Sequence, residues 1–274
     1  MNIFVCAKQV PDTNEIKIDP ETNTLIRKGV PSILNTYDAF ALEQALRIKD
    51  KDPENVKITV ISMGPPQAES MLRDTLAVGA DKAYLVTDRK FGGSDTLATS
   101  YIISEAIKEI AKREGDYDMI FCGLQAIDGD TAQVGPEIAE HLDVPQVTYA
   151  YTAELNDEGI KVLKEVEGGA LNIQAKLPAL ITFTKYGDEE LRYPKIKNKM
   201  KAKKATIEQI TLEELKENID EKAIGLKGSP TRVKKSYTPE HKKSGEIYND
   251  EDASVSVDKL MNALLVIKEK EGAE

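Results

Sequence analysis

The sequence predicts an α/β fold built on a parallel sheet, and two observations carry that prediction. Short runs rich in Val, Ile and Leu alternate through the first half of the chain with longer segments whose apolar residues recur at spacings of three and four. Strands separated by helix-length connections are what a parallel sheet covered by helices requires.

Taken in order, strands are expected at residues 2–7, 56–62, 83–87 and 118–122. The helices between them are DAFALEQALRIKD, QAESMLRDTLAVGA and LATSYIISEAIKEIAKREG. Gly79-Ala80 and Gly115 stand where a helix C-terminus favours glycine. After residue 145 the pattern changes to VTYAYTAEL, IKVLKEVEGG, ALNIQAKL and ALITFTK, joined by turns such as Asp157-Glu158-Gly159 and Gly168-Gly169. These read as antiparallel strands added to the sheet or packed at its edge.

The stretch ELRYPKIKNKMKAKKA, residues 190–205, then places Arg192 and six lysines in a chain that is otherwise acidic. Residues 206–253 are highly charged and short of apolar anchors. Only SVSVDKLMNALLVIKEKEG forms an amphipathic helix, with a stripe of Leu260, Leu264, Leu265 and Ile267. The expected division is an α/β domain over 1–205 and an extended arm over 206–274. Such an arm buries too little apolar surface to fold by itself. It is ordered by a partner or folds back on its own domain.

Composition narrows the function. A formal charge of −10 and a pI near 5.0 argue against nucleic-acid or anionic-membrane binding, which want a positive field. No run approaches the roughly 18 apolar residues of a membrane span, and NIFVCA enters a strand at once without a charged-then-apolar leader. A cytoplasmic setting is expected. Cys6 and Cys122 each lie in an apolar strand, with no CxxC pair, so a zinc or iron–sulfur site is not expected. His141 on a helix and His241 in a Lys-rich segment suit a surface, so neither a catalytic triad nor a histidine metal site is expected.

In open α/β sheets, ligands bind at the carboxyl ends of the strands. The unusual turns all fall there: Ala7-Lys8-Gln9, Ser62-Met63-Gly64-Pro65-Pro66, Phe91-Gly92-Gly93-Ser94-Asp95-Thr96 with Thr99 beyond it, and GLQAIDGDTAQVGP from Gly123. Asn35-Thr36-Tyr37-Asp38 precedes the first helix, and Asn35 or Asp38 suits its cap. Helix N-termini offer free N–H groups and glycine lets backbone approach a phosphate, so Gly129, Gly135, Thr131 and Gln133 fit a phosphate site. Neither GxGxxG nor GxxxxGK[ST] is present. Asp128 and Asp130 would repel a phosphate and are expected to face hydroxyls, backbone or solvent. Pro136 fits best as the first helical residue after an irregular turn. A Gly/Asp turn that merely caps a helix explains the same letters.

GLQAIDGDTAQVGP, together with NIFVCAKQVPD, LNTYDAFALEQALRIKD, VISMGPPQA, LRDTLAVGADKAYLV and MKAKKATI, resembles the β subunit of electron transfer flavoproteins over residues 1 to about 210. The arm beyond matches in position and character, not in letters. The resemblance implies a Rossmann-like domain related to the adenine-nucleotide hydrolase fold, paired with an α subunit that carries its own FAD. It implies a nucleotide held by Cys6 and Ala7, by Asn35 to Asp38 including Tyr37, by Met63, and by the run from Gly123 through Gln125, Ala126, Asp128, Gly129, Asp130, Thr131, Ala132 and Gln133 to Val134. Thr96 and Thr99 line the neighbouring turn.

That nucleotide is FAD in the NADH-oxidising, bifurcating members, or AMP in those that only shuttle electrons. DGDTAQVGP and GGSDTLATS look like the FAD-holding branch, whose small residues make room for a pyrophosphate and flavin. The mechanism implied takes a hydride from NADH. It sends one electron to ferredoxin or flavodoxin and one through the α-subunit FAD to an acyl-CoA dehydrogenase-like enzyme, an activity expected only in the complex. No catalytic side chain is expected, because the cofactor performs the chemistry. The segment with Tyr193, Ile196, Lys199, Met200 and Lys203 matches the family's dehydrogenase-recognition segment. Ala170-Leu171-Asn172 departs from the acidic residue or Gln that relatives carry after the paired glycines. A universal-stress-type nucleotide sensor shares the fold but should lack both the arm and the basic segment.

Overall fold

The computed structural model describes residues 1–12, 32–187, 190–234 and 245–271. Its strands and helices, in chain order, begin with β1 (Asn2–Cys6), β2 (Gln9–Pro11), β3 (Ser32–Leu34), α1 (Thr36–Lys51), β4 (Lys57–Met63), α2 (Glu69–Val78) and β5 (Lys82–Val86). They continue with α3 (Thr96–Glu114), β6 (Met119–Gly123), α4 (Val134–Leu142), β7 (Gln146–Asn156), β8 (Gly159–Val166), β9 (Gly169–Ala175) and β10 (Ala179–Phe183). The last are α5 (Ile196–Lys204), β11 (Glu208–Ile210), α6 (Leu212–Leu215), α7 (Gly225–Gly228) and α8 (Ala253–Glu271).

Among the described residues one sheet holds nine strands in the order β11-β5-β4-β1-β6-β10-β7-β8-β9, and β2 and β3 form a separate antiparallel pair. The fold class expected from the sequence is the one observed: α/β, with a large parallel sheet and added antiparallel strands. Gly79 at φ 135° and Gly115 at φ 93° end α2 and α3, a backbone region that side chains with a Cβ seldom adopt.

The second half of the sheet differs from expectation in pairing. β10 lies between β6 and β7 and runs parallel to both, while only the β7–β8 and β8–β9 pairs are antiparallel. The reason is visible in burial. ALITF is buried at every position, as a strand covered on both faces must be, whereas β9 is exposed along most of its length.

The sheet is wrapped on both faces. Residues of α1 and α2, among them Ala41, Leu46, Met71 and Leu72, share a cluster with Ile3, Val5, Phe121 and Phe183. Ile102, Ile107 and Ile110 of α3 and Ile138 of α4 share the opposite cluster with Phe4, Tyr84 and Ile120. The connection leaving β1 therefore runs over one face and the one entering β6 over the other. The crevice at their carboxyl ends is the switch point of the sheet.

The first compact unit runs from Met1 to Lys235, past the boundary expected at 205. β11 adds to the sheet edge beside β5, and Leu212, Leu215, Ile219 and Ile224 join the buried cluster. These apolar anchors, spaced singly among charges, are why the stretch reads as an arm by composition and folds as part of the domain. The second unit, Ser236–Glu274, contains α8, on which Val257, Leu260, Leu264 and Leu265 are exposed. The side chain of Ile267, and His241, lie outside the described residues. Among the described residues no helix is long and apolar enough to cross a membrane.

Candidate functional site

The ends of β1, β4 and β6 open into a cleft of about 430 Å³, within the roughly 300–1,000 Å³ of small-molecule sites. Cys6 and Ala7 enter from β1, Ile61 and Met63 from β4, and Cys122 and Gly123 from β6, with Thr96 and Thr99 of α3 along one side. The loop after β6 supplies Gln125, Ala126, Gly129, Thr131, Ala132 and Gln133, and α4 supplies Val134. The resemblance implies a nucleotide contact for all of these except Ile61 and Cys122. Four of its residues do not line the cleft: Asn35, Tyr37, Asp128 and Asp130.

Asn35 and the two acids hold the loop instead. Asn35 sits at the N-cap position of α1 but makes no side-chain cap bond, so the capping role expected of it is corrected. Its Nδ2 donates to Gln125 O at 2.8 Å and its Oδ1 accepts from Ile127 N at 3.1 Å, clamping the loop from below while the residue stays fully buried. Asp130 accepts from Gln125 Nε2 at 2.8 Å, and Asp128 pairs with Lys8 Nζ at 2.6 Å. Neither acid caps the helix. Asp130 at φ 49° and Ala132 at φ 54° are left-handed, a conformation costing a non-glycine residue about 1–2 kcal/mol.

The two helix ends facing the cleft are not equivalent. The Asp95 side chain caps α3 by accepting from Ala98 N at 3.1 Å and also takes Thr231 N at 2.9 Å. Burial works against its charge, but these hydrogen bonds hold Asp95 below the usual carboxylate range. α4 has no side-chain cap, so its first N–H groups remain for a ligand. Pro136 is the third residue of α4, not the first as expected. Its missing N–H still falls among those that have no partner within the helix.

Glycine serves different ends at different positions. A Cβ on Gly123 would lie 2.3 Å from Asp38 Oδ1 and one on Gly135 would lie 2.6 Å from Thr182 Cγ2, so packing demands both. Gly135, expected to make room for ligand, is therefore explained by the fit of α4 against β10. A Cβ on Gly129 would meet nothing within 4 Å.

Asp38, expected as a possible cap, is a buried cleft residue. It accepts from Lys8 N at 2.7 Å and Gly123 N at 3.0 Å, tying the ends of β1 and β6 together. Burial pushes its carboxyl up to about 7, against the pull of hydrogen bonds from Lys8, Asn35 and Gly123. The thiols of Cys6 and Cys122 meet on the cleft floor. Their hydrogen bond, with burial, pushes the Cys122 thiol well above its ordinary range.

Ile61, Ile103 and Cys122 line the cleft without having been expected there, whereas Lys8, Gly93 to Asp95, Leu124 and Gly135, which also line it, lie in the turns the sequence singled out. Alternation along a strand could have found two of them. If Met63 faces a site then so does Ile61, and Cys122 lies beside Cys6 on the neighbouring strand.

The basic segment is held apart from this cleft. Arg192 grips Glu43 through Nε and Nη2 at 2.9 Å and Asp50 through Nη2 at 2.8 Å, and Arg73 Nη1 donates to Ala202 O at 3.0 Å near the end of α5. Ala202 is buried, whereas Tyr193, Ile196 and Met200 are 94%, 81% and 62% exposed. Lys199 and Lys203 are exposed beside them.

Fold and cleft together define a doubly wound α/β protein with a cleft at its switch point. The electron transfer flavoprotein domain matches residues 22–215. The electron transfer flavoprotein subunit beta of Megasphaera elsdenii is 48% identical over 272 residues, 98% of this chain and 99% of its own. The caffeyl-CoA reductase-Etf complex subunit CarD of Acetobacterium woodii is 48% identical over 247 residues, 90% of this chain and 91% of its own. The acryloyl-CoA reductase electron transfer subunit gamma of Anaerotignum propionicum is 43% identical over 267 residues, 95% and 98% of the two chains. The chain belongs to the electron transfer flavoprotein β-subunit family.

Proposed function

We propose that the chain is the β subunit of a cytoplasmic heterodimer with an FAD-carrying α subunit, and that its cleft holds a second FAD. The observation that carries this reading is the pairing of an uncapped α4 N-terminus with Gly129, whose missing side chain no protein contact requires. Both are what a pyrophosphate needs, since N–H groups and a positive helix end favour the anion and glycine lets it come close. The cleft residues would hold a flavin whose chemistry, when bound, would be hydride acceptance from NADH and single-electron delivery to ferredoxin or flavodoxin and to the α-subunit FAD.

The protein's own part is to bind and orient. Asn35 fixes the loop at Gln125 and Ile127, Asp38 fixes the strand ends, and the buried floor of Cys6 and Cys122 keeps water from beneath the ligand. Tyr193, Ile196 and Met200, ringed by Lys199 and Lys203, form the contact for an acyl-CoA dehydrogenase-like partner. The lysines add encounter rate and the apolar residues add affinity. The names of the caffeyl-CoA and acryloyl-CoA reductase relatives favour a partner of that class.

The test is to co-produce the chain with its α partner, denature the purified complex and chromatograph the released nucleotides. FAD beyond one per heterodimer is expected. One FAD with one AMP would sink the flavin reading in favour of the AMP-bearing shuttle, which the same cleft also fits.

A further inference from the structure

Among the described residues lining the cleft, Lys8 carries the only positive charge, against the carboxyls of Asp38 and Asp95. Asp95 is engaged by Ala98 and Thr231, and Asp38 by the backbone of Lys8 and Gly123. Lys8 Nζ lies 2.6 Å from Asp128 Oδ1, and the pair links the end of β1 to the loop beyond β6. Its two halves differ in freedom. The Lys8 side chain is 47% exposed and that of Asp128 only 6%. A lysine ammonium is a point charge on a flexible stem with three donors, so it can swing while the buried carboxylate stays.

We propose that Lys8 is a specificity residue of the cleft, exchanging Asp128 for the phosphate of a bound nucleotide, so that the cleft discriminates phosphorylated ligands from bare nucleosides. This rests on the nucleotide reading above. A phosphate offers a second charge and more acceptor oxygens than one carboxylate, which favours the exchange. Asp128 opposes it, because a departing Lys8 leaves a buried carboxylate without its cation. Asp128 therefore sets how much affinity the phosphate must supply, and the two residues have opposite effects on the same discrimination.

The experiment is calorimetric titration of the full chain, stripped of bound nucleotide, with AMP and with adenosine. Wild type is expected to prefer AMP. Asp128→Asn, which releases Lys8, should raise the ratio of AMP to adenosine affinity severalfold. Lys8→Gln alone strands Asp128, so the informative variant is Lys8→Gln with Asp128→Asn. Its ratio of AMP to adenosine affinity should fall about tenfold, the size of one charge-assisted hydrogen bond. Equal changes for AMP and adenosine in the double variant, or an undiminished preference for AMP, would overturn the proposal and leave the nucleotide reading standing. A wild-type chain that binds neither ligand overturns the nucleotide reading and this inference with it.

Discussion

At the scale of the residue, Gly123 and Gly129 stand in one loop region for different reasons, and substitution separates them. Gly123→Ala drives a Cβ to within 2.3 Å of Asp38 and should cost about 1–3 kcal/mol or more in urea unfolding. Gly129→Ala meets no protein atom and should leave stability within about 0.5 kcal/mol while weakening nucleotide binding. A Gly129→Ala protein with unchanged nucleotide affinity would remove the ligand from that spot.

Asp38 gives a residue-scale pH dependence. Its folded carboxyl is pushed up to about 7 from an ordinary 3.8, so between those values the folded state holds a proton that the unfolded state has lost. The contribution is fully present below about 3.8 and is lost as pH rises through 7. Wild type should therefore lose more stability between pH 5 and pH 8 than Asp38→Asn does, by an amount on the order of a few kcal/mol. Parallel losses would show that the Asp38 carboxyl does not titrate in that window.

At the scale of the element, α5 depends on Arg192 and Arg73 for its position. Glu43 is nearly buried beneath Arg192, so Arg192→Met leaves its carboxylate poorly paired and should cost about 1–3 kcal/mol locally. Limited trypsin digestion reads the effect: cleavage between 190 and 204 should quicken severalfold while the rest of the chain resists. Unchanged cleavage would mean that α5 is held by other contacts.

Element type was legible in the sequence where period and length agree, as for β1, α1, β4, α2, β5, α3 and β6. Pairing partners were less so. β10 carries the all-apolar signature of a buried strand, but its insertion between β6 and β7 is a long-range choice that local pattern does not encode. β11 is three residues long and gives almost no periodic signal. The cleft was legible because its glycine-rich and acidic turns all lie at strand ends. What stayed hidden was which side chain faces the ligand and which braces the loop, since Asn35 and Asp130 have the letters of ligand contacts and the hydrogen bonds of struts.

At the scale of the molecule, the chain divides its work between a folded unit that carries the cleft and the basic segment, and a second unit whose helix α8 presents Val257, Leu260, Leu264 and Leu265. We propose that this exposed apolar face is where the α subunit of the proposed heterodimer docks. Removing residues 245–274 should abolish co-purification with that subunit while the far-UV spectrum and unfolding midpoint of Met1–Lys235 persist. Retained co-purification would place the main contact elsewhere.

The central claim, that the cleft at the ends of β1, β4 and β6 is a flavin site, is tested most directly by counting FAD in the purified heterodimer of wild type and Gly129→Val. The account predicts a second FAD in wild type and its loss in the variant, with the α-subunit FAD and the heterodimer intact. The same FAD content in both proteins would contradict it.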